Sequence, residues 1–416
     1  MMRLSITSDG RYLRTPDGAV WSDGALHYGV WSRYLDVFDR VNVVARVAPI
    51  DAPHDKLRRA DGLGVEFSAV PTYVGVWQYL KQARAVKHAA RSGIRADDAV
   101  MLNVPGNMAS CVMKSLAPGR PYGVHVISDC WDTFAPGAFK HPFRPYLRWA
   151  LSRRLRDQVR HSSAALYVTS RTLQERYPSN GIMAGISDVD LPDEAFVPEP
   201  RSNFKTSGPI TLISIGTMAT QFTKGHDVLI DAVAMLAQRG LDVRAVLVGG
   251  GHYQGFLEER ARSLGIAERI IFHGQLPAGP RVREELDRAD LYVFPTRIEG
   301  LPRALVEAMA RGLPCISTPV GGIPELLPPD DLVPTSNVPA LVEKISAVLA
   351  NPERLAGMSA RNLTIAREFR GEVLRPRWNE FLRSLAEQTA VWNGRHSKSS
   401  PVAVTTKKQT EVPVHA

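Results

Sequence analysis

From Ile210 onward the chain alternates short apolar runs with longer stretches of helical apolar spacing, and few architectures accept that pattern. Ile210–Ile215 is an apolar run ending at Gly216, which predicts a buried strand. Asp227–Ala237 has helical spacing, and Val243–Val248, closed by Gly249-Gly250-Gly251, predicts the next strand. The pattern continues with a helix over Phe256–Leu264, a strand over Ile270–Phe272, a helix over Arg281–Arg288 and a strand over Asp290–Phe294. It closes with a helix over Arg303–Arg311, stopped by Gly312 and Pro314, and a strand over Cys315–Thr318. Strand and helix taking turns this regularly predict a parallel sheet covered by helices on both faces.

The N-terminal half alternates less cleanly. Its spacing predicts strands at Leu4–Thr7, Val41–Val47, Val65–Val70, Ala99–Val104, Tyr122–Ile127 and Ala164–Thr169. Helices are predicted near Ala25–Leu35, Val76–Arg91, Met108–Leu116 and Arg144–Arg160. Residues 191–208 are rich in Pro, Ser and charge and read as a linker between a unit at 1–190 and a unit at 209–370. A helix over Glu372–Gln388, within 371–391, is expected to return to the first unit, and the polar, Lys-rich stretch 392–416 reads as a disordered tail. The predicted fold class is α/β, with two doubly wound units.

Composition narrows the function classes. The chain has 416 residues, 44% apolar and 22% charged, ordinary for a globular protein of two domains. The N-terminus carries no apolar core of signal-peptide length, and no stretch approaches the roughly 18 apolar residues of a membrane span, so a cytoplasmic protein is expected. Three cysteines without short spacing support neither a disulfide framework nor a zinc site. The net charge of +9 points to an anionic partner. No nucleic-acid-binding motif accompanies it.

In open parallel sheets, ligands bind at the carboxyl ends of the strands. Three loops there carry suggestive residues: Gly216-Thr217 with Lys224-Gly225, the Gly249-Gly250-Gly251 turn, and Glu299-Gly300-Leu301-Pro302 ahead of a helix bearing Glu307. A nucleoside diphosphate sugar suits this set. Charge grows on its diphosphate as the glycosidic bond breaks, and Lys224 and helix N-termini can meet that charge. Glu307 can accept two neighbouring ribose hydroxyls, and Glu299 can hold sugar hydroxyls. Gly249 serves either a tight turn or the ligand.

The run from Pro295, PTRIEGLPRALVEAMARGLPCISTPVGGIPELL, resembles the retaining glycosyltransferases of family 4 (glycosyl transferases group 1), whose signature is two Glu separated by seven residues. Glu299 and Glu307 have that spacing, and Gly321-Gly322-Ile323-Pro324-Glu325 resembles the Gly-Gly-x-Pro-Glu turn that follows. The pair of Glu alone is uninformative; its loop, helix, strand and glycine context carries the resemblance. Ile215-Gly216 through Lys224-Gly225 resembles the family's phosphate loop, and Leu166–Ser170 its last N-terminal strand. The resemblance implies GT-B architecture, with two Rossmann-like domains facing each other across a cleft. It further implies a metal-independent transfer with retention of anomeric configuration, in which a phosphate oxygen takes the acceptor's proton. Glu307 would bind ribose, Glu299 the donor sugar, and Lys224 the diphosphate. The backbone of Gly300, Leu301 and Pro302 would approach sugar and phosphate, and the base would lie near Gly274 and Gln275. Thr217 departs from the family, many of whose members place Arg there; Lys224 then works with helix dipoles or with another basic residue.

Further candidates lie in the N-terminal half. Asp129, after the Tyr122–Ile127 strand, occupies a strand end facing the expected cleft, so it joins Glu299 as a catalytic candidate. Ser22-Asp23-Gly24-Ala25 either caps a helix or presents Gly24 to the cleft. Asp188-Val189-Asp190 reads as structural rather than metal-binding. Arg144–Arg160 reads either as a domain helix with a solvated basic face or as a basic amphipathic helix that lies on anionic lipid. The expected partners are a UDP- or GDP-linked sugar donor and a saccharide or lipid-linked acceptor, as in surface polysaccharide or glycolipid synthesis, with the protein peripheral on the inner face of the membrane. No separate cofactor is expected. An epimerase of the same fold and a non-catalytic nucleotide-sugar binder are the alternatives.

Overall fold

The computed structural model describes residues 2–23, 26–55, 57–136, 141–205, 208–219 and 223–396, which build two α/β units. In the first, strands run parallel in the spatial order Val65–Val70, Arg40–Pro49, Arg3–Arg14, Ala99–Val104, Gly123–Val126, Ala164–Tyr167 and Ile182–Gly185. Val20–Ser22 pairs antiparallel with Tyr12–Arg14 and carries Arg58–Arg59 outside it. The first strand runs past its predicted end at Thr7. The chain absorbs Ser8-Asp9-Gly10 as a register irregularity between Thr7 and Arg11 and resumes pairing. The short Val20–Ser22, Arg58–Arg59 and Ile182–Gly185 strands carry too little apolar pattern to be predicted.

The second unit is a five-stranded parallel sheet in the order Ile270–Gly274, Val243–Val248, Ile210–Ile215, Leu291–Phe294, Cys315–Ser317. Every strand and helix predicted between Ile210 and Thr318 is present within a few residues. Two apolar layers cover the sheet: Leu212, Val233 and Ala245 belong to one, and Ile213, Val246 and Met309 to the other. This alternation of faces along each strand is the period-two signature of a sheet buried on both sides.

Three expectations need correction. The predicted Ala25–Leu35 helix begins at Tyr28 and tightens to a 3₁₀ turn over Arg33–Asp36, while Ala25 lies outside the described residues. The predicted linker 191–208 is packed over its described residues 191–205: Leu191, Ala195 and Phe196 are buried, and Arg201 donates to the carbonyls of Leu286, Ala289 and Arg311. The last helix spans Gly371–His396, so Trp392–His396 are helical rather than tail; residues 397–416 lie outside the described residues.

That last helix begins beside the connection and ends on the first unit. Leu191 N–H donates to Phe369 O at 3.1 Å, so the two chain crossings between units lie side by side. Leu374, Trp378, Phe381, Leu382 and Leu385 form one helical stripe and are buried with Leu4, Ile6, Tyr34, Phe38 and Leu166. The helix therefore supplies part of the first unit's core.

Candidate functional site

The site is built where the carboxyl ends of the second sheet meet the first unit. Two loops there are zipped together by backbone: Gly216 N–H donates to Val248 O at 2.9 Å, and Met218 N–H to Gly250 O at 2.9 Å. Gly249 makes this possible. Its φ is +140° and a Cβ there would stand 2.0 Å from Gly216 O, so only glycine fits. Its N–H donates to Gly274 O at 2.8 Å, which ties in the third strand end. Thr217 points its hydroxyl to Gly250 O at 3.3 Å.

His226, the first residue of the helix after Lys224-Gly225, fixes the same loop from behind. Its Nε2 lies 3.1 Å from Gly216 O, and a carbonyl only accepts, so Nε2 carries the hydrogen. Nδ1 is buried without a partner, and burial lowers the pKa to about 4, so the ring is neutral. Only a lone His at a helix start marks this role in the sequence.

Between these loops and the helix Arg303–Ala310 lies a cavity of about 290 Å³. Of the candidate donor residues, Gly216, Thr217, Gly249, Gln275 and Glu307 line it, together with Leu276 and Arg303, which were not anticipated. Glu307 Oε1 accepts from Arg303 Nε at 3.2 Å across one helical turn, and Arg303 Nη2 reaches Asp190 O at 3.0 Å. Gly274 supports the rim through its carbonyl, with φ of +64°.

Lys224 and Glu299 face each other with Nζ to Oε1 at 2.5 Å, and Thr296 Oγ1 donates to the same oxygen at 3.1 Å. Both side chains are largely buried, at 21% and 8% exposure, so this is a partly desolvated ion pair. Its strength depends on those extra hydrogen bonds.

The Glu299 loop is also the seam between the units. A Cβ on Gly300 would sit 2.4 Å from Ile127 O at a strand end of the first unit. Leu301 packs against apolar clusters of both units, and Pro302 precedes the helix as its N-cap. Gly322 N–H donates to Gly300 O at 2.6 Å, and Gly321 N–H to Asp132 Oδ2 at 3.4 Å. Glu325 crosses the seam fully. Its carboxylate accepts from the backbone N–H of Ser170, Arg171 and Thr172 and from the Thr172 hydroxyl, at 2.6–3.1 Å. A carboxylate from one unit thus caps a helix of the other.

Asp129 stands behind this seam rather than in the cavity. It is 1% exposed, caps the turn Cys130–Thr133 through Trp131 N–H at 2.7 Å, and accepts from Tyr177 OH at 2.5 Å. Arg176 pairs with both Asp129 and Asp132. Burial, then the neighbouring Asp132, raises the Asp129 pKa against the lowering by Tyr177 and Arg176. These partners position the Asp132 that holds Gly321; they leave Asp129 no open face. His125 is buried against Trp378, with its pKa lowered to about 3 by burial and by Arg33. Asp188 and Asp190 line a neighbouring cavity with His27, Arg33 and Trp378, and Arg303 is shared between the two cavities. Gly24 lies outside the described residues.

Residues 198–363 match the family model for glycosyl transferases group 1. Protein CapJ of Staphylococcus aureus is 26% identical over 355 residues, covering 82% of this chain and 88% of that protein. A GDP-mannose-dependent alpha-(1-6)-phosphatidylinositol monomannoside mannosyltransferase of Mycolicibacterium smegmatis is 29% identical over 234 residues, 51% of this chain and 59% of its own. Among solved structures, sucrose-phosphate synthase of Thermosynechococcus elongatus superposes with a TM-score of 0.66 at 15% identity, covering 96% and 100% of the two chains. Anabaena HepE in complex with UDP and glucose superposes with a TM-score of 0.63 at 17% identity, covering 92% and 100%. The chain has the GT-B fold.

Proposed function

We propose that this protein is a glycosyltransferase that moves a sugar from a nucleoside diphosphate donor to an acceptor, with retention and without a metal, in surface polysaccharide or glycolipid synthesis. The observation that carries the reading is the cavity itself: glycine-floored loops from three strand ends face a helix bearing Glu307, beside the Lys224–Glu299 pair. Nucleoside would occupy the cavity, with ribose hydroxyls on Glu307 and the base toward Gly274 and Gln275. The diphosphate would lie at Gly216-Thr217 and the Arg303–Ala310 helix N-terminus, drawing Lys224 toward its growing charge. Glu299, released in part from Lys224, would accept sugar hydroxyls. It positions the sugar and needs no nucleophilic role.

The family match over residues 198–363 and the relative named as a mannosyltransferase support the class of reaction; UDP or GDP is the nucleotide we expect. The acceptor would be a saccharide or a lipid-linked saccharide. Phe143, Tyr146 and Trp149, exposed at 67%, 63% and 55% along the arginine-rich Arg144–Arg160 helix, would seat the protein on an anionic membrane face. No helix among the described residues is long and apolar enough to cross a membrane.

Turnover tests the reading. With UDP- and GDP-hexoses, EDTA and a mixed saccharide acceptor pool, the protein should release nucleoside diphosphate and form a glycoside of unchanged anomeric configuration. An epimerised sugar formed without acceptor would instead support the epimerase alternative, and binding without turnover the non-catalytic one.

A further inference from the structure

Charge at the cavity does not balance a diphosphate. Lys224 is already paired with Glu299, and Glu307 adds a second carboxylate beside the position a dianion or trianion would take. Thr217, at the strand end where a phosphate would meet the loop, contributes a hydroxyl and no charge. Backbone donors at a helix N-terminus supply only about half an elementary charge. A nucleoside diphosphate bound by these groups alone would meet net repulsion.

Arg303 is the sole cationic side chain among the described residues that line the cavity. It starts the helix that carries Glu307, is 53% exposed, and holds Glu307 Oε1 at 3.2 Å and Asp190 O at 3.0 Å. Neither tether is bidentate to a carboxylate, and both can be exchanged by rotation of one side chain. The guanidinium stands in the wall between the donor cavity and the neighbouring one lined by Arg33, Asp188 and Trp378, so it can turn to either.

We propose that Arg303 is the second cation of the diphosphate site, leaving Glu307 to the ribose when the nucleotide enters and placing its fork on phosphate oxygens. The inference rests on the donor-site reading above. A planar guanidinium suits this work because two parallel N–H donors match two phosphate oxygens. The alternative is a surface i,i+4 ion pair that adds little to the helix and nothing to the ligand.

The two readings part on which portion of the nucleotide feels the substitution. Calorimetric titration of wild type, Arg303→Gln and Arg303→Lys should use UDP and GDP, each beside its nucleoside. For the nucleotide that binds, Arg303→Gln should weaken the diphosphate about tenfold or more and leave the nucleoside within about twofold. Arg303→Lys, a point charge without the fork, should fall between. Equal affinity of wild type and Arg303→Gln for the diphosphate overturns the inference while the donor site stands. So does an equal loss for diphosphate and nucleoside, because Arg303 would then act only by orienting Glu307. Absence of binding by wild type to either diphosphate overturns the donor-site reading and this inference with it. Equal thermal midpoints of the unliganded variants establish that each is folded.

Discussion

Gly249, with φ at +140° and Gly216 O 2.0 Å from where a Cβ would stand, shows how one residue sets the floor of the cavity. Gly249→Ala must push the two loops apart or leave the Gly216–Val248 bond, and should lower stability by roughly 2 kcal/mol or more. Urea unfolding measures it; an unchanged midpoint would mean the loops are not zipped as described. His226 makes a pH prediction. Its folded pKa of about 4 lies below the ordinary 6.5, so between those values the unfolded chain binds more protons. The contribution of His226 to stability should therefore fall as pH drops from 6.5 toward 4 and level off below. His125, depressed to about 3, adds to the same slope. His226→Gln should flatten the pH dependence of the unfolding midpoint without abolishing it. An identical slope in the variant would show that the ring is not held neutral against Gly216 O. Neither histidine announced its environment in sequence, because burial depends on what packs over a residue from elsewhere in the chain.

Among the elements, the helix Thr172–Arg176 is too short to be stable alone and borrows its cap from Glu325 in the other unit. Glu325→Ala leaves the N–H groups of Ser170, Arg171 and Thr172 without that acceptor and should cost about 1–3 kcal/mol. A thermal midpoint equal to wild type would contradict the cross-unit cap. Glu325 was visible in sequence as part of a motif, yet its partner was not, since 153 residues separate it from Thr172. The Arg144–Arg160 helix was legible to the residue, because Leu151, Leu155 and Val159 repeat at helical spacing against the core. Removing charge at Arg153, Arg154 and Arg156 should weaken binding to anionic vesicles on the order of a hundredfold, at about 1 kcal/mol per charge near the surface. Unchanged co-sedimentation would assign those arginines to a solvated face. In the second unit, strands buried on both sides read as continuous apolar runs, which explains why Ile210–Ser317 was predicted nearly whole. In the first, Arg58–Arg59 and Ile182–Gly185 are edge strands held by pairing rather than by apolar pattern.

As a whole molecule, the described residues hold the two units together through the paired crossings at Leu191 and Arg370, the close approach of Gly300 to Ile127 O, the Glu325 cap on Thr172, and the last helix lying on the first sheet. Phe381, 3% exposed among Leu4, Tyr34 and Leu166, belongs by sequence to the end of the chain and by packing to its beginning. Phe381→Ala should cost about 3–5 kcal/mol, read as a fall in the urea midpoint; a fall under about 1 kcal/mol would place the helix outside the core. The candidate site divides the same way. Glu299, Glu307, Lys224 and the glycines lie in contiguous motifs and were legible, whereas Arg303 acquires meaning only when the cavity shows it on the same lining as Thr217. Asp129 was misplaced because a strand end facing the cleft does not reveal that Tyr177 and Arg176 close over it. A nucleoside diphosphate held in the cavity beside Glu307 should stabilise the folded protein. The most direct measurement is a thermal-shift comparison of wild type and Glu307→Ala with UDP, GDP, ADP and their common sugar conjugates. One nucleotide class should raise the wild-type midpoint by several degrees, and Glu307→Ala should lose the shift. Folded wild-type protein that shifts with none of them, or a variant that keeps the full shift, would contradict nucleotide binding in this cavity.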